Sequence, residues 1–350
     1  MELSIAMWRG RVTRQVIAWP ALVRAALTTG AAMLAPASAN AGALTATTQA
    51  YPSRPITMIV PFPAGGATHA LGHIIGERMR ASLGQAIIVE NVSGAGSTLG
   101  VGRAARAAPD GYTLSIGNWT SHVGSGALYP IQYDLLKDFE PVSLLTLAPM
   151  IIVGRNTLTA KDARELIAWL KANPDKASAA SVGAGSAMHV CGLYFQGMTG
   201  TRFQFVPYRG AAPAVQDLMS GQIDLMCGEA SQTLPHVRSA KMKAFAVMSR
   251  SRLPALPEIP TTDEIEASGM YISFWHGLWA PKGTPKDVVA KLNAAVVDTL
   301  ADMTVRKRLT DLGQVIATRD QQTPEGLGAY HQAEINKWWP IIRAANINAD

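Results

Sequence analysis

Beyond residue 50 the apolar positions alternate between two periods. Residues 56–60 form a short β-rich run. Across 68–83 the apolar residues Leu71, Ile74, Ile75 and Met79 fall at helical spacing, and Gly84 supplies a stop. A strand over 87–90, a helix over 99–108 ended by Pro109-Asp110-Gly111, and a strand over 113–117 follow. This βαβαβ rhythm predicts a parallel, doubly wound sheet with right-handed crossovers. Residues 142–153 are a long, apolar, extended stretch around Pro149. A second rhythm comes after it: helices over 163–171, 188–198 and 211–219, with strands over 177–182, 203–206, 223–227 and 244–248. A proline-rich loop at 254–260, a second extended stretch at 271–280 and helices over 286–301, 305–312 and 325–345 complete the chain.

Two α/β units joined by two extended segments predict a two-lobed α/β fold. Lobe one takes residues 51–150 and returns over 276–350, and lobe two takes 151–275. Two doubly wound sheets would then be connected by a two-stranded hinge, so that the lobes can close on what lies between them. Ligands in such sheets sit at the carboxyl ends of strands.

Composition adds a compartment. The chain has 350 residues, 48% hydrophobic and 16% charged, the reverse of what disorder requires. Arg9, Arg11, Arg14 and Arg24 precede and enter an Ala-rich apolar run that ends near Ala37, and Ala39-Asn40-Ala41 offers small residues at −3 and −1. Residues 1–41 thus read as a signal peptide cleaved after Ala41, and 42–50 as a flexible polar tail. A retained anchor is the alternative, but the apolar run is short and Pro36 breaks it. The formal charge of +6 is inflated by this segment, which holds four arginines and one acid. No Lys/Arg stripe with interleaved aromatics is present, which argues against nucleic acid. Cys191 and Cys227 are the only cysteines. In an oxidising compartment they could pair, or they could be two buried thiols acting as small apolar residues.

Three glycine-bearing loops follow strands. The first, Val60-Pro61-Phe62-Pro63-Ala64-Gly65-Gly66-Ala67-Thr68-His69, opens a helix. Its glycines let backbone N–H groups approach a ligand, and the helix dipole favours an anion. Thr68 is the expected N-cap. The second, Ser181-Val182-Gly183-Ala184-Gly185-Ser186-Ala187-Met188-His189, holds the equivalent place in lobe two. Together the two loops predict a pincer that grips a carboxylate from both sides. The third, Ser93-Gly94-Ala95-Gly96-Ser97-Thr98-Leu99-Gly100, has the spacing G-x-G-x-x-x-G, and no acid ends a strand about 20 residues on. It is read as a packing turn rather than a dinucleotide site.

Catalytic alternatives are poorly supported. There is no G-x-S-x-G elbow, and Ser186, three residues before His189, suits a cap or ligand donor better than a nucleophile. His69, His73 and Glu77 share one helix face but lack a fourth metal ligand. Trp119, with the donors Thr120 and Ser121 and with His122, follows the third strand, where a pocket wall would lie.

The run Tyr51-Pro52-Ser53-Arg54-Pro55-Ile56, the first glycine loop, Ala108-Pro109-Asp110-Gly111-Tyr112-Thr113-Leu114 and Ala127-Leu128-Tyr129-Pro130 are similar to segments of Bug-type periplasmic solute-binding proteins. So are Val206-Pro207-Tyr208-Arg209-Gly210, Gly221-Gln222-Ile223-Asp224-Leu225 and Ala280-Pro281-Lys282-Gly283-Thr284-Pro285. These proteins are the receptors of tripartite tricarboxylate transporters. The resemblance covers nearly the whole chain after residue 50. It implies a type II periplasmic-binding-protein fold, no catalysis, no cofactor or metal, and a monomer in the periplasm. It also implies a small carboxylate solute held largely by backbone N–H groups and water, and delivery to a membrane permease with two integral subunits.

The binding residues expected on this reading are Phe62, Ala64, Gly65, Gly66, Thr68 and His69 from the first loop, and Trp119, Thr120 and Ser121 after the third strand. Gly185, Ser186, Ala187, Met188 and His189 come from the second loop, joined by Tyr208 and Glu229. Two positions depart from the family. Its first loop continues Gly-Gly-x-x-Asp where this chain has His69, and its strand after Gly221 ends Phe-Asp-Asn where this chain has Cys227-Gly228-Glu229, which moves the acid one position on. These changes disfavour an amino-acid ligand. Phe62, Trp119 and His122 point to an acidic solute, aromatic or dicarboxylic. The rival readings are a ligand-sensing subunit for a two-component kinase and a periplasmic hydrolase using Ser186.

Overall fold

The computed structural model describes residues 50–265 and 267–344. The signal segment 1–41, its cleavage point and all but the last residue of the 42–50 tail lie outside the described residues.

The opening βαβαβ unit forms as its pattern predicts. β1 (Ile56–Val60) is a near-continuous apolar run, as expected for a strand covered on both faces. It lies between β2 (Ile87–Asn91) and β3 (Thr113–Asn118), parallel to both. α1 (Ala67–Leu83) ends at Gly84, whose left-handed conformation (φ 69°) lets its amide reach Arg80 O at 2.9 Å. α2 (Thr98–Ala105) crosses so close to the first loop that a Cβ on Gly100 would lie 2.8 Å from Pro61 Cα.

The first extended stretch proves longer than its apolar core, and the second is shifted by one or two residues. β4 (Phe139–Arg155) runs through both halves. Its first part pairs antiparallel with β9 (Ser273–Pro281), from Phe139 opposite Pro281 to Pro149 opposite Ser273. Its last part pairs antiparallel with β7 (Leu225–Glu229) and β8 (Met242–Val247). β9 is also antiparallel to β3. The sheet is therefore mixed where the sequence rhythm predicts a parallel one. The reason is directional: a chain that enters the second half along β4 must leave it along β9 in the opposite sense. With β5 (Ser178–Ser181) and β6 (Gln204–Pro207) at the far edge, the strand path β2-β1-β3-β9-β4-β7-β5-β6 is continuous, so the two wound sheets share the hinge strands rather than merely being tied by them.

A short helix, α3 (Ser125–Leu128), closes the turn after β3, and the second half adds α4 (Ala163–Ala172), β5, α5 (Ala187–Thr199), β6, α6 (Ala211–Ser220) and α7 (Ala230–Arg238). α8 (Lys286–Ala301) packs on α1 in the first half, and α9 (Met303–Asp311) follows it. A two-residue strand that the sequence did not reveal, β10 (Val315–Ile316), then pairs with β4 at Leu147 and Thr146. α10 (Pro324–Ala344) lies across β4 and the turn after β3. One apolar core runs under α1 and α8, and a second lies within the second half. A third, containing Trp119, Trp275, Trp279 and Trp338 together with Cys191, Phe195 and Phe245, is common to both halves. Among the described residues no helix is long and apolar enough to cross a membrane.

Candidate functional site

The second glycine loop is built by its own side chains. Ser186 caps α5, its Oγ accepting from the His189 amide at 3.3 Å. His189 Nδ1 accepts in turn from the Gly185 amide at 3.0 Å, which fixes the ring with its proton on Nε2. Burial holds the His189 pKa below its ordinary value. Ser181 Oγ accepts from the Gly183 amide at 3.2 Å. Among the described residues the amides of Ala184, Ala187 and Met188 have no acceptor. Those of Ala187 and Met188 are unpaired donors that a helix start leaves, at the positive end of the α5 dipole. Gly185 is required here twice over. Its φ of +69° suits glycine, and a Cβ would strike Leu128 of the first half.

A cavity of about 230 Å³ lies between the halves at this point. Val182, Gly183, Ala184, Gly185 and Ser186 wall it on one side. Gly96, Thr120, Ser125, Leu128 and Tyr129 wall it on the other. None of these ten side chains carries a charge, so an anion within would be met by amides, hydroxyls and a helix dipole. The first-half wall is stitched together by Ser125, whose Oγ lies 2.6 Å from Gly96 O, 2.7 Å from Thr120 O and 3.0 Å from Ser97 Oγ. The third glycine loop, read as a packing turn, thus contributes Gly96 to the cavity, against the Tyr129 ring. Gly96, Ser125, Leu128 and Tyr129 were all missed as site residues. The signal available was the motif Ala127-Leu128-Tyr129-Pro130, which carries part of the family resemblance.

The other expected residues fall elsewhere. Ala64, Gly65 and Gly66 of the first loop are solvent-exposed and are not among the walls of this cavity. Gly66, not Thr68, is the N-cap of α1, and no side chain caps it. Thr68 lies inside the first turn, where its Oγ1 accepts from Asn118 Nδ2 at 2.9 Å instead of turning back to the backbone. Phe62 is half-buried against the first-half core. The His69 ring meets His73 edge-on at 4.5 Å, and Glu77 of the same face pairs with Arg308 at 3.2 Å.

Trp119 is fully buried, edge-on to Trp338 at 5.6 Å, and belongs to the shared core rather than to the cavity wall. Ser121 is also buried, its Oγ accepting from the Asn118 amide at 2.9 Å. Thr120, between them, does line the cavity. Ala187 and Met188 are buried in the first turn of α5. Tyr208 donates to Asp217 at 2.8 Å, and burial together with that carboxylate pushes the phenol up to about 12. Glu229, the last residue of β7, is buried and accepts from Gln314 Nε2 at 2.9 Å; burial pushes its carboxyl up to about 7. Cys191 on α5 and Cys227 on β7 have their Cα atoms 6.1 Å apart and their sulfurs in contact, with Met248 Sδ beside them.

Two wound halves on shared hinge strands, with a donor-lined cavity between them, make up the architecture of the periplasmic binding proteins. The chain belongs to the family described as the tripartite tricarboxylate transporter family receptor, which it matches over residues 72–347. It is similar to the protein BugT of Bordetella pertussis, with 34% identity over 84% of this chain and 90% of that one. Its fold is similar to the structure of the periplasmic binding protein BugD, at 38% identity and a TM-score of 0.75, covering 86% of this chain and 100% of that one. It is likewise similar to MatC from Rhodopseudomonas palustris, solved with bound malate, at 38% identity and a TM-score of 0.74, covering 83% of this chain and 100% of that one. The Bug-type receptor class, its two-lobed α/β fold and its solute-binding role are those the sequence resemblance implies.

Proposed function

We propose that this protein is an exported receptor that captures a small carboxylate between its lobes and delivers it to the permease of a tripartite tricarboxylate transporter. The observation that carries this reading is the cavity: uncharged walls, with the unpaired Ala184 amide in one of them and the unpaired Ala187 and Met188 amides in the first turn of α5 that follows it. Those donors replace the water around a carboxylate. Thr120 and Tyr129 bring hydroxyls to the wall from the other half, and these can take the remaining polar groups of the solute. MatC, with its malate, supports an aliphatic hydroxy-dicarboxylate as the first class to try.

The lobes divide at 51–150 with 276–350, and at 151–275, and 1–41 is removed on export to the periplasm. The receptor acts as a monomer, and no cofactor or metal takes part. Solute contacts both halves only when they are closed, and this difference in contact energy moves the population to the closed form. A hydrolase reading gains no support from Ser186, whose Oγ is occupied as the α5 cap while His189 Nδ1 accepts from the Gly185 amide.

The test is native mass spectrometry of the molecule that co-purifies, followed by calorimetry against malate, succinate, adipate, benzoate and glutamate. Binding of one or more of the carboxylates, with the solute recovered unchanged, is the expected result. Tight binding of only a cationic or neutral sugar ligand defeats the reading.

A further inference from the structure

Six buried polar side chains, none of which lines the cavity, form one unbroken hydrogen-bonded chain across the molecule. Asn118 Nδ2 donates to Thr68 Oγ1 at 2.9 Å, and Thr68 Oγ1 lies 3.2 Å from His276 Nε2. His276 Nδ1 lies 3.3 Å from Thr146 Oγ1, which donates to Gln314 Oε1 at 2.8 Å. Gln314 Nε2 then donates to Glu229 Oε1 at 2.9 Å. All six residues are at most 6% exposed. The chain uses every strand at the crossing: Asn118 ends β3, His276 faces it across β9, Thr146 faces His276 from β4, and Gln314 precedes β10. It begins at the first turn of α1 and ends at Glu229, the N-cap of α7. Its last bond therefore joins the first half to the second.

The direction of every proton in this chain can be derived. At one end, Asn118 Oδ1 accepts from the Ser121 amide at 3.2 Å, so its Nδ2 must face Thr68. At the other, Gln314 donates from Nε2 to Glu229 Oε1, an oxygen that accepts whether or not the carboxyl holds its proton on Oε2, so Gln314 Oε1 faces Thr146. Thr146 spends its one hydroxyl proton on Gln314, so it accepts from His276. His276 Nδ1 must then carry the ring proton, and the bare Nε2 accepts from the Thr68 hydroxyl. Both ends impose the same polarity, and one neutral imidazole satisfies it. Burial agrees, holding the His276 pKa far down, at about 3.

We propose that His276, held as its Nδ1–H tautomer, is a positioning residue that ties the start of α1 to the N-cap of α7 and sets the balance between open and closed lobes. The inference rests on the two-lobed receptor reading above. Breaking the chain at any link leaves a buried polar group without a partner, so the relation of the halves that completes it is favoured over those that do not.

The tests need no solute. Nitrogen-15 NMR of the wild-type imidazoles should show His276 protonated on Nδ1 and bare on Nε2; an Nε2–H tautomer or an imidazolium at neutral pH overturns the proposal. Pulsed electron resonance between spin labels on Leu99→Cys and Met198→Cys, both exposed and one in each half, reads the opening directly. Gln314→Glu removes the donor and should shift the distances to longer values. Adding Glu229→Gln reverses the donor and acceptor across that bond and should restore the wild-type distribution. Thr146→Val, a milder break in the middle of the chain, should lengthen the distances as Gln314→Glu does. An unchanged distribution in folded Thr146→Val, or no rescue in the double variant, overturns the proposal. Either failure leaves the carboxylate reading standing, and failure of the solute panel leaves these readouts intact.

Discussion

Gly185 of the second half lies against Leu128 of the first with no room for a Cβ between them, and Gly124 approaches the Gly185 carbonyl from the same side. The wall of the cavity is thus also the point where the halves meet. Gly185→Ala should act on both roles: strain from φ +69° costs about 1 kcal/mol, and the methyl group must displace the Leu128 side chain from the cavity wall. We expect a modest loss of thermal stability and at least a tenfold loss of affinity in calorimetry for the solute that the panel identifies. Gly183→Ala, also at positive φ but with open space around its Cβ, should lose stability with a smaller loss of affinity. Equal effects on affinity would remove the contact between the halves as the cause.

Ser186 holds the loop through its cap. Ser186→Ala frees the His189 amide and should cost about 1 kcal/mol of stability. The His189 ring still accepts from Gly185, so the loop keeps its course and affinity should fall only a few-fold. Calorimetry and thermal unfolding of the same preparation check both values. Complete loss of binding would give Ser186 a direct role that the cap geometry does not show.

The first strands and helices were legible because their signals are local: an apolar run in β1, helical spacing in α1, Gly84 at its end. The antiparallel pairing of β4 with β9 was not, because the partners lie more than a hundred residues apart and no local pattern records direction. Ser186 of the second loop was read as a cap or a ligand donor, and it is a cap, since a serine before an apolar helix is a short-range signal. The first loop had the same local grammar, yet Gly65 and Gly66 are exposed and the described cavity is walled by Gly96 and Tyr129 in that half. Which of two glycine turns faces a partner depends on how α2 and the turn after β3 are placed, which spacing alone does not encode. Glu229 was expected at the solute, yet it lies buried against Gln314, which is 85 residues on and carries no motif.

Acid and base should unsettle the fold through different groups. The Glu229 carboxyl, at about 7 in the fold and 4.5 ordinarily, keeps its proton across that interval only when folded. Its neutral burial is therefore favourable at low pH, and stability is lost as pH rises from about 4.5 to about 7. His276 at about 3 and His331 at about 4 behave oppositely. Buried neutral, they take up protons on unfolding below about 6.5, so their contribution is full above that value and is lost on acidification. Glu229→Gln keeps an acceptor for Gln314 and removes only the first effect. Its melting temperature relative to wild type should climb between pH 5 and pH 8, by an amount worth on the order of a few kcal/mol. A difference that stays flat with pH would mean that Glu229 is not buried as a carboxylic acid.

Cys191 and Cys227 sit on adjacent elements of the second half, their Cα atoms 6.1 Å apart and 36 residues apart in sequence. We propose that they form a disulfide once the chain reaches an oxidising compartment. Closing a loop of that length removes about 4 kcal/mol worth of disorder from the unfolded chain on the entropy estimate. Both sulfurs lie in the core beside Met248, with Cys191 in α5. Intact-mass measurement of the periplasmic protein without reductant should find it lighter by two hydrogens than the reduced form. Reduction, or replacement of both cysteines by alanine, should lower the melting temperature markedly while leaving the oxidised wild type unaffected by thiol-alkylating reagents. A protein from the periplasm that alkylates fully under denaturing, non-reducing conditions would show two free thiols instead, and the stabilisation would then be no more than that of two small apolar side chains.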